Sequence, residues 1–219
     1  MPFLLVACGS EAPSVEAPSV DGASGSPPQD TGPGFGTIVA VGDSLTAGYG
    51  VEESQAYPAL LQQRLLLEGH FYRVVNAGVS GETSSGTQSR IAWVIDSLDP
   101  DIIILETGAN DGLRGVDPMV LEKNLDQIIT TIKAAGIAVV LAGMKLPPNL
   151  GLNYTMRFSK VYPRIADKYA IPLIPFFLKS VAGDVRYNLS DRMHPNPEGY
   201  RRIVDDIYPY VVDVIKQHR

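Results

Sequence analysis

A single cysteine, Cys8, stands in a chain of 219 residues. One thiol excludes an internal disulfide framework and any cysteine-built zinc site. Basic residues are sparse too: 18 Lys and Arg face 24 Asp and Glu, the first of them is Arg64, and they form no run. A formal charge of −6 without a basic stripe argues against a nucleic-acid partner. No apolar run reaches the roughly 18 residues of a membrane-spanning helix. No group of His, Asp or Glu has metal-ligand spacing, so neither a metal nor any other cofactor is expected. G-x-S-x-G is missing, which excludes the usual α/β-hydrolase elbow, and no G-x-x-x-x-G-K-[ST] is present to cradle phosphate.

What is present begins with a low-complexity stretch. Glu11 to Val15 repeats as Glu16 to Val20, and Gly, Ser and Pro dominate from there to Gly36. Such a composition cannot bury enough apolar area to offset its ordering entropy, so residues 1–36 are expected to be disordered. Their four acids meet no base, so of the −6 only −2 belongs to residues 37–219. Leu5-Val6-Ala7-Cys8 resembles a bacterial lipobox. Two readings stand side by side: a lipid anchor at Cys8 followed by a tether, or an ordinary flexible extension. Residues 3–7 are too short for a full signal-peptide core. A periplasmic or membrane-anchored location is therefore expected only with a complete signal upstream.

From Thr37 onward the pattern is that of one globular domain, with 45% hydrophobic residues over the whole chain. Apolar runs at 37–41, 72–77, 101–107, 137–142 and 171–174 read as strands. Helical spacing falls between them, at 56–68, 84–98, 117–135, 154–169 and 196–217. Pro163 must kink or restart the fourth of these helices. Pro172 and Pro175 bracket the last strand and place it at a sheet edge. Strands and helices alternate, and Ile102-Ile103-Ile104-Leu105 is apolar without interruption. That combination predicts a five-stranded parallel sheet covered on both faces by helices. Sites in such sheets form beyond the carboxyl ends of the strands. The residues to inspect therefore follow Val41, Ala77, Thr107 and Ala142.

Gly42-Asp43-Ser44-Leu45 follows the first strand. A serine on a tight strand-to-helix turn is exposed, but it needs a base before it can act as a nucleophile. Equally, it could be a plain helix cap. Of the three histidines, His70 follows a helix exit and His218 is penultimate. His194 lies in Asp191-Arg192-Met193-His194, where a carboxylate three residues away can hold the ring in one tautomer. Donors for a developing oxyanion could be the N–H of Ser44, the N–H of Gly81 after the second strand, and the Asn110 amide after the third. Each of these residues has an ordinary turn role as an alternative. Asp43 and Asp111 are expected to brace loops, and Asp111 could orient the Asn110 amide. Tyr154, Phe158 and Tyr162 recur every four residues, as a core-facing helix stripe does. Met144 to Tyr154, with Leu146, Pro147, Pro148, Leu150 and Leu152, is either an apolar wall for an acyl chain or simple loop packing. The loop from Gly78 to Ser85 should flank the same mouth.

Taken in order, Gly42-Asp43-Ser44-Leu45, Gly81, Gly108-x-Asn110-Asp111 and Asp191-x-x-His194 resemble the four blocks of the SGNH, or GDSL, hydrolase family. The four residues behind that name match Ser44, Gly81, Asn110 and His194. Asn110 to Gly115 and Leu173 to Phe177 are most similar to the bacterial periplasmic branch of multifunctional thioesterase/lysophospholipases and arylesterases. The resemblance runs from Thr37 to the C-terminus. It implies a flavodoxin-like three-layer α/β sandwich and a serine esterase acting on short- to medium-chain acyl or aryl esters, with thioesters and lysophospholipids in range. Its triad would be Ser44, His194 and Asp191, with oxyanion donors at Ser44, Gly81 and Asn110. The expected partner is a small-molecule ester. Natural substrate and oligomeric state are left open. A carbohydrate acetylesterase of the same family and a non-catalytic flavodoxin-like module are the rival readings.

Overall fold

The computed structural model describes residues 35–218. Cys8 and the expected linker up to residue 34 lie outside the described residues. Phe35 and Gly36, expected to be disordered, are instead ordered, Phe35 packing its ring on Phe71 at 5.6 Å between centroids and Gly36 opening the first strand with its N–H on the Phe71 carbonyl at 3.0 Å. Five parallel strands form one sheet: β1 (Gly36–Gly42), β2 (Tyr72–Gly78), β3 (Ile102–Glu106), β4 (Ala138–Ala142) and β5 (Leu173–Ile174), in the order β2-β1-β3-β4-β5. The helices are α1 (Ser44–Ala47), α2 (Tyr57–Leu67), α3 (Ser84–Leu98), α4 (Ala109–Leu113), α5 (Pro118–Ala134), α6 (Leu152–Ser159), α7 (Val161–Tyr169) and α8 (Pro197–Gln217). α2 packs with α8, and α5 with both α3 and α7, so the sheet lies between two helical layers. This is the flavodoxin-like sandwich expected from the alternation of elements.

Burial explains the central strands. Every residue of β3 and β4 is buried, as the uninterrupted apolar run from Ile102 requires when helices cover both faces. Removing each such aliphatic side chain from water stabilises the fold by about 1.5–3 kcal/mol. β5 is shorter than the expected 171–174, and its edge position accommodates the prolines on either side. The expected helix at 154–169 is two helices, α6 and α7, separated at Lys160. The Pro163 ring conflicts with the carbonyl four residues back, whereas in the first turn of a new helix its missing N–H leaves no bond unmade. Phe158 and Tyr162 of the stripe are buried, while Tyr154 reaches out to donate its hydroxyl to the Val116 carbonyl at 2.7 Å. Asp117 caps α5, accepting from the Met119 N–H at 3.0 Å, and Asn196 caps α8, accepting from the Gly199 N–H at 2.9 Å.

The strand order doubles back at β1. β1 leads to β2 on one side, and β3, β4 and β5 follow on the other. The crevice beyond the carboxyl ends of β1 and β3 is the switch point at which doubly wound sheets bind ligands. Ser44 follows β1, and Asn110 follows β3.

Candidate active site

The turn after β1 is built by an Asx bond. Asp43 Oδ1 accepts from the Leu45 N–H at 2.9 Å, which caps α1 and starts the helix at Ser44. Gly42 admits no side chain there: a Cβ would lie 2.1 Å from Thr46 Oγ1 and 2.5 Å from the Glu106 carbonyl oxygen. The turn therefore sits tightly on β3, and the Ser44 N–H, first in its helix, has no intrahelical acceptor to satisfy it.

His194 arrives from a loop folded on itself. An antiparallel bridge joins Asn188 to Pro195, the Leu189 N–H donates to the His194 carbonyl at 2.8 Å, and Arg192 takes a positive φ of 60° to close the turn. Asp191 Oδ1 accepts the N–H groups of Met193 and His194 at 2.9 and 3.0 Å. Its Oδ2 lies 2.6 Å from His194 Nδ1, and His194 Nε2 lies 2.9 Å from Ser44 Oγ. With Nδ1–H donating to the carboxylate, Nε2 is left to accept the serine hydroxyl proton. Partial burial of Asp191 works to raise its pKa. The hydrogen bonds from the His194 backbone and ring and from the Met193 backbone outweigh that effect and hold it at about 2. The Tyr49 ring packs on the imidazole, centroid to centroid 4.5 Å. Tyr49 has no place in the motif blocks; only its spacing five residues after Ser44 could have suggested it.

Asn110 stands in the first turn of α4, after Gly108. Gly108 has φ of 106°, and a Cβ there would lie 2.5 Å from the Tyr162 hydroxyl, so this entry to the helix is closed to other residues. Asn110 Nδ2 donates to Asp43 Oδ2 at 3.1 Å and to the Glu82 carbonyl at 3.0 Å. Asp43, not Asp111, thus orients the amide. Asp111 instead accepts from the Ser84 N–H at 2.7 Å and the Ser84 hydroxyl at 2.5 Å, tying α4 to the start of α3. Gly81 sits in the exposed β2–α3 loop with φ of 78°, and its carbonyl accepts from Arg114 at 2.8 Å. That loop is secured by a feature the sequence reading missed. Arg90 pairs with both oxygens of Glu82 at 2.7 Å and donates to the Ala77 carbonyl at 2.8 Å.

Ser44, Asn110 and His194 open onto a cleft of about 500 Å³. Met144, Leu146 and Pro147 form part of its apolar wall, as do Phe176 and Leu178, which the sequence did not mark. Pro148, Leu150 and Leu152 do not line it, and Leu152 points to solvent. The loop from Gly78 to Ser85 meets the site through the Glu82 carbonyl, which accepts from Asn110. Among the described residues no His, Asp and Glu group could hold a metal, and no helix is long and apolar enough to cross a membrane.

Residues 40–202 match the GDSL-like lipase/acylhydrolase family. The chain belongs to that family. This GDSL hydrolase is 40% identical over 173 residues to the esterase TesA of Pseudomonas aeruginosa, covering 79% of this chain and 86% of the relative. It is 37% identical over 169 residues to the thioesterase 1/protease 1/lysophospholipase L1 of Escherichia coli K12, covering 77% and 80%. Superposition on the crystal structure of TesA has a TM-score of 0.77 at 40% identity and covers 80% of this chain and 97% of that one. The GDSL hydrolase is accordingly a serine esterase, a carboxylic ester hydrolase, as the motif blocks implied.

Proposed function

We propose that Ser44 is the nucleophile of this esterase, His194 its general base and acid, and Asp191 the carboxylate that orients His194. The observation that carries the reading is the unbroken line of contacts from Ser44 Oγ to His194 at 2.9 Å and from His194 to Asp191 at 2.6 Å. Ser44 Oγ attacks the ester carbonyl as Nε2 takes its proton. The carbonyl oxygen becomes an oxyanion, for which the proposed donors are the Ser44 N–H, the Gly81 N–H and the Asn110 amide. Both Asn110 amide protons already have acceptors, so the oxyanion must share one of them. The tetrahedral intermediate collapses, His194 protonates the departing alcohol or thiol, and water repeats the sequence on the acyl-enzyme. Asp191 stays ionised throughout and stabilises the imidazolium.

The apolar wall of Met144, Leu146, Phe176 and Leu178 supports short- to medium-chain acyl or aryl esters, with thioesters and lysophospholipids within the same chemistry. That wall ranks these esters ahead of a carbohydrate acetylesterase, for whose sugar the cleft offers Lys145, Asn188 and Arg192 beyond the reacting groups. Labelling with a fluorophosphonate, followed by mapping of the modified peptide, tests the nucleophile. A label at any residue other than Ser44 refutes it. A panel of acetylated sugars against aryl and acyl esters tests the substrate class. Residues 1–34 are proposed as a tether, with Cys8 as its lipid anchor. Expressed behind a complete signal, the protein should fractionate with membranes, and Cys8→Ala should release it.

A further inference from the structure

A carboxylic acid lies under the nucleophile turn, and the reaction above does not use it. Glu106 is the last residue of β3, in register with Gly42, and is fully buried. Its Oε2 accepts from the Thr46 hydroxyl at 2.9 Å and from the Asp43 N–H at 3.3 Å. Its Oε1 is also buried and receives no N–H or O–H from a described residue. The titratable groups facing it are Asp43 at the end of β1, Tyr57 of α2, Tyr162 of α7 and Tyr200 of α8, with no cation among them.

Asp43 is buried as well. Burial pushes its carboxyl up too, but its two oxygens take the Leu45 N–H and the Asn110 amide, and these bonds, with His194 nearby, work against that rise. Two adjoining carboxyls without a cation cannot both ionise away from water. Donors decide which one keeps the proton. Asp43 has two N–H groups on its own oxygens, whereas Glu106 has a hydroxyl and one long N–H contact. Burial first, and then the Asp43 charge, push Glu106 well above the usual carboxyl range. The two side chains are hydrogen-bonding neighbours, and Oε1 is the Glu106 oxygen left without a donor.

We propose that Glu106 is a positioning residue that works as a neutral acid: its Oε1–H donates to Asp43, and Asp43, so anchored, holds the Asn110 amide and the turn carrying Ser44. The proposal rests on the reading in which Ser44 and Asn110 serve the reaction. A purely structural acid would support folding alone; this one sets where an oxyanion donor points.

Glu106→Gln and Glu106→Leu separate the two roles. A glutamine amide can still donate to Asp43, and its oxygen can still accept from Thr46. Glu106→Gln should therefore keep kcat within about threefold of the parent, whereas Glu106→Leu should lose about 100-fold in kcat with KM nearly unchanged. Difference infrared spectra of wild type minus Glu106→Gln at neutral pH should show the C=O stretch of a protonated carboxyl. Absence of that band overturns the proposal. So does a Glu106→Gln enzyme as slow as Glu106→Leu, or a folded Glu106→Leu enzyme with the parent's kcat. Should Glu106→Leu not fold, the infrared band and Glu106→Gln still decide. Fluorophosphonate labelling away from Ser44 would refute the catalytic reading without touching the band; labelling at Ser44 with no band refutes only the neutral acid.

Discussion

Ser44 Oγ lies 2.9 Å from His194 Nε2 across 150 residues of chain. The two side chains come from unrelated turns, one capping α1 after β1 and the other closed by the Asn188–Pro195 bridge ahead of α8. If that contact is the proton path, Ser44→Ala and His194→Ala should each lower turnover by about 10⁴-fold or more. Melting temperature should hardly move, because neither side chain belongs to the core. Near-normal hydrolysis of a short-chain aryl ester by Ser44→Ala would contradict the assignment.

Asn110 is the test of the oxyanion donors. Asn110→Ala should lower kcat by about 10²–10³-fold with a much smaller change in KM, since the bond strengthens only in the transition state. Asn110→Asp should be worse in a second way. It sets a carboxylate where the amide now meets Asp43 Oδ2 at 3.1 Å, so its melting temperature should fall below that of Asn110→Ala. A stable Asn110→Ala enzyme with full kcat would remove Asn110 from the mechanism.

The Arg90–Glu82 pair should matter to stability and rate together. Its side chains are only 19% and 8% exposed, and the Glu82 carbonyl takes the second Asn110 proton. Arg90→Met leaves a buried carboxylate unpaired and should cost about 3–5 kcal/mol of unfolding free energy. Adding Glu82→Gln should recover part of that loss, because the stranded charge is gone. Urea denaturation of the single and double variants measures both, and an Arg90→Met chain as stable as the parent would show the pair to be idle.

Asp191 has a pH signature of its own. Its folded pKa, about 2, lies below the value of an unfolded aspartate. A depressed acid contributes stability above its unfolded pKa and loses that contribution as pH falls through the folded one. The melting-temperature gap between the parent and Asp191→Asn should therefore persist from neutral pH down to about 4 and close between about 4 and 2. A gap already closed at pH 6 would mean that the hydrogen bonds to Met193 and His194 do not hold this carboxylate.

Local patterns carried most of the architecture. The apolar run of β3, the caps at Asp117 and Asn196 and the prolines around β5 each act within a few residues, so their consequences are legible in the chain order. Ser44 and Asn110 could be marked because a parallel alternating sheet gathers the ends of its strands on one side, and His194 because Asp191 stands three residues before it. Pro163 announced an interruption but not its form: neighbouring packing decided that α6 would end and α7 begin.

What the chain order could not settle was which polar groups meet. Asp111 adjoins Asn110 in sequence, yet its carboxylate binds Ser84, and Asp43 from another strand end holds the amide. Glu106 reads as the polar end of an apolar strand, and Arg90 as one more charge on a helix. Sequence by itself determined the sheet, its helices and the residues at the strand ends, because hydrophobic periodicity and capping are local. Only the tertiary structure decided the partners of Asp43, Glu106 and Arg90, because a buried charge must be matched by whichever donor the packing of distant elements brings within hydrogen-bond reach.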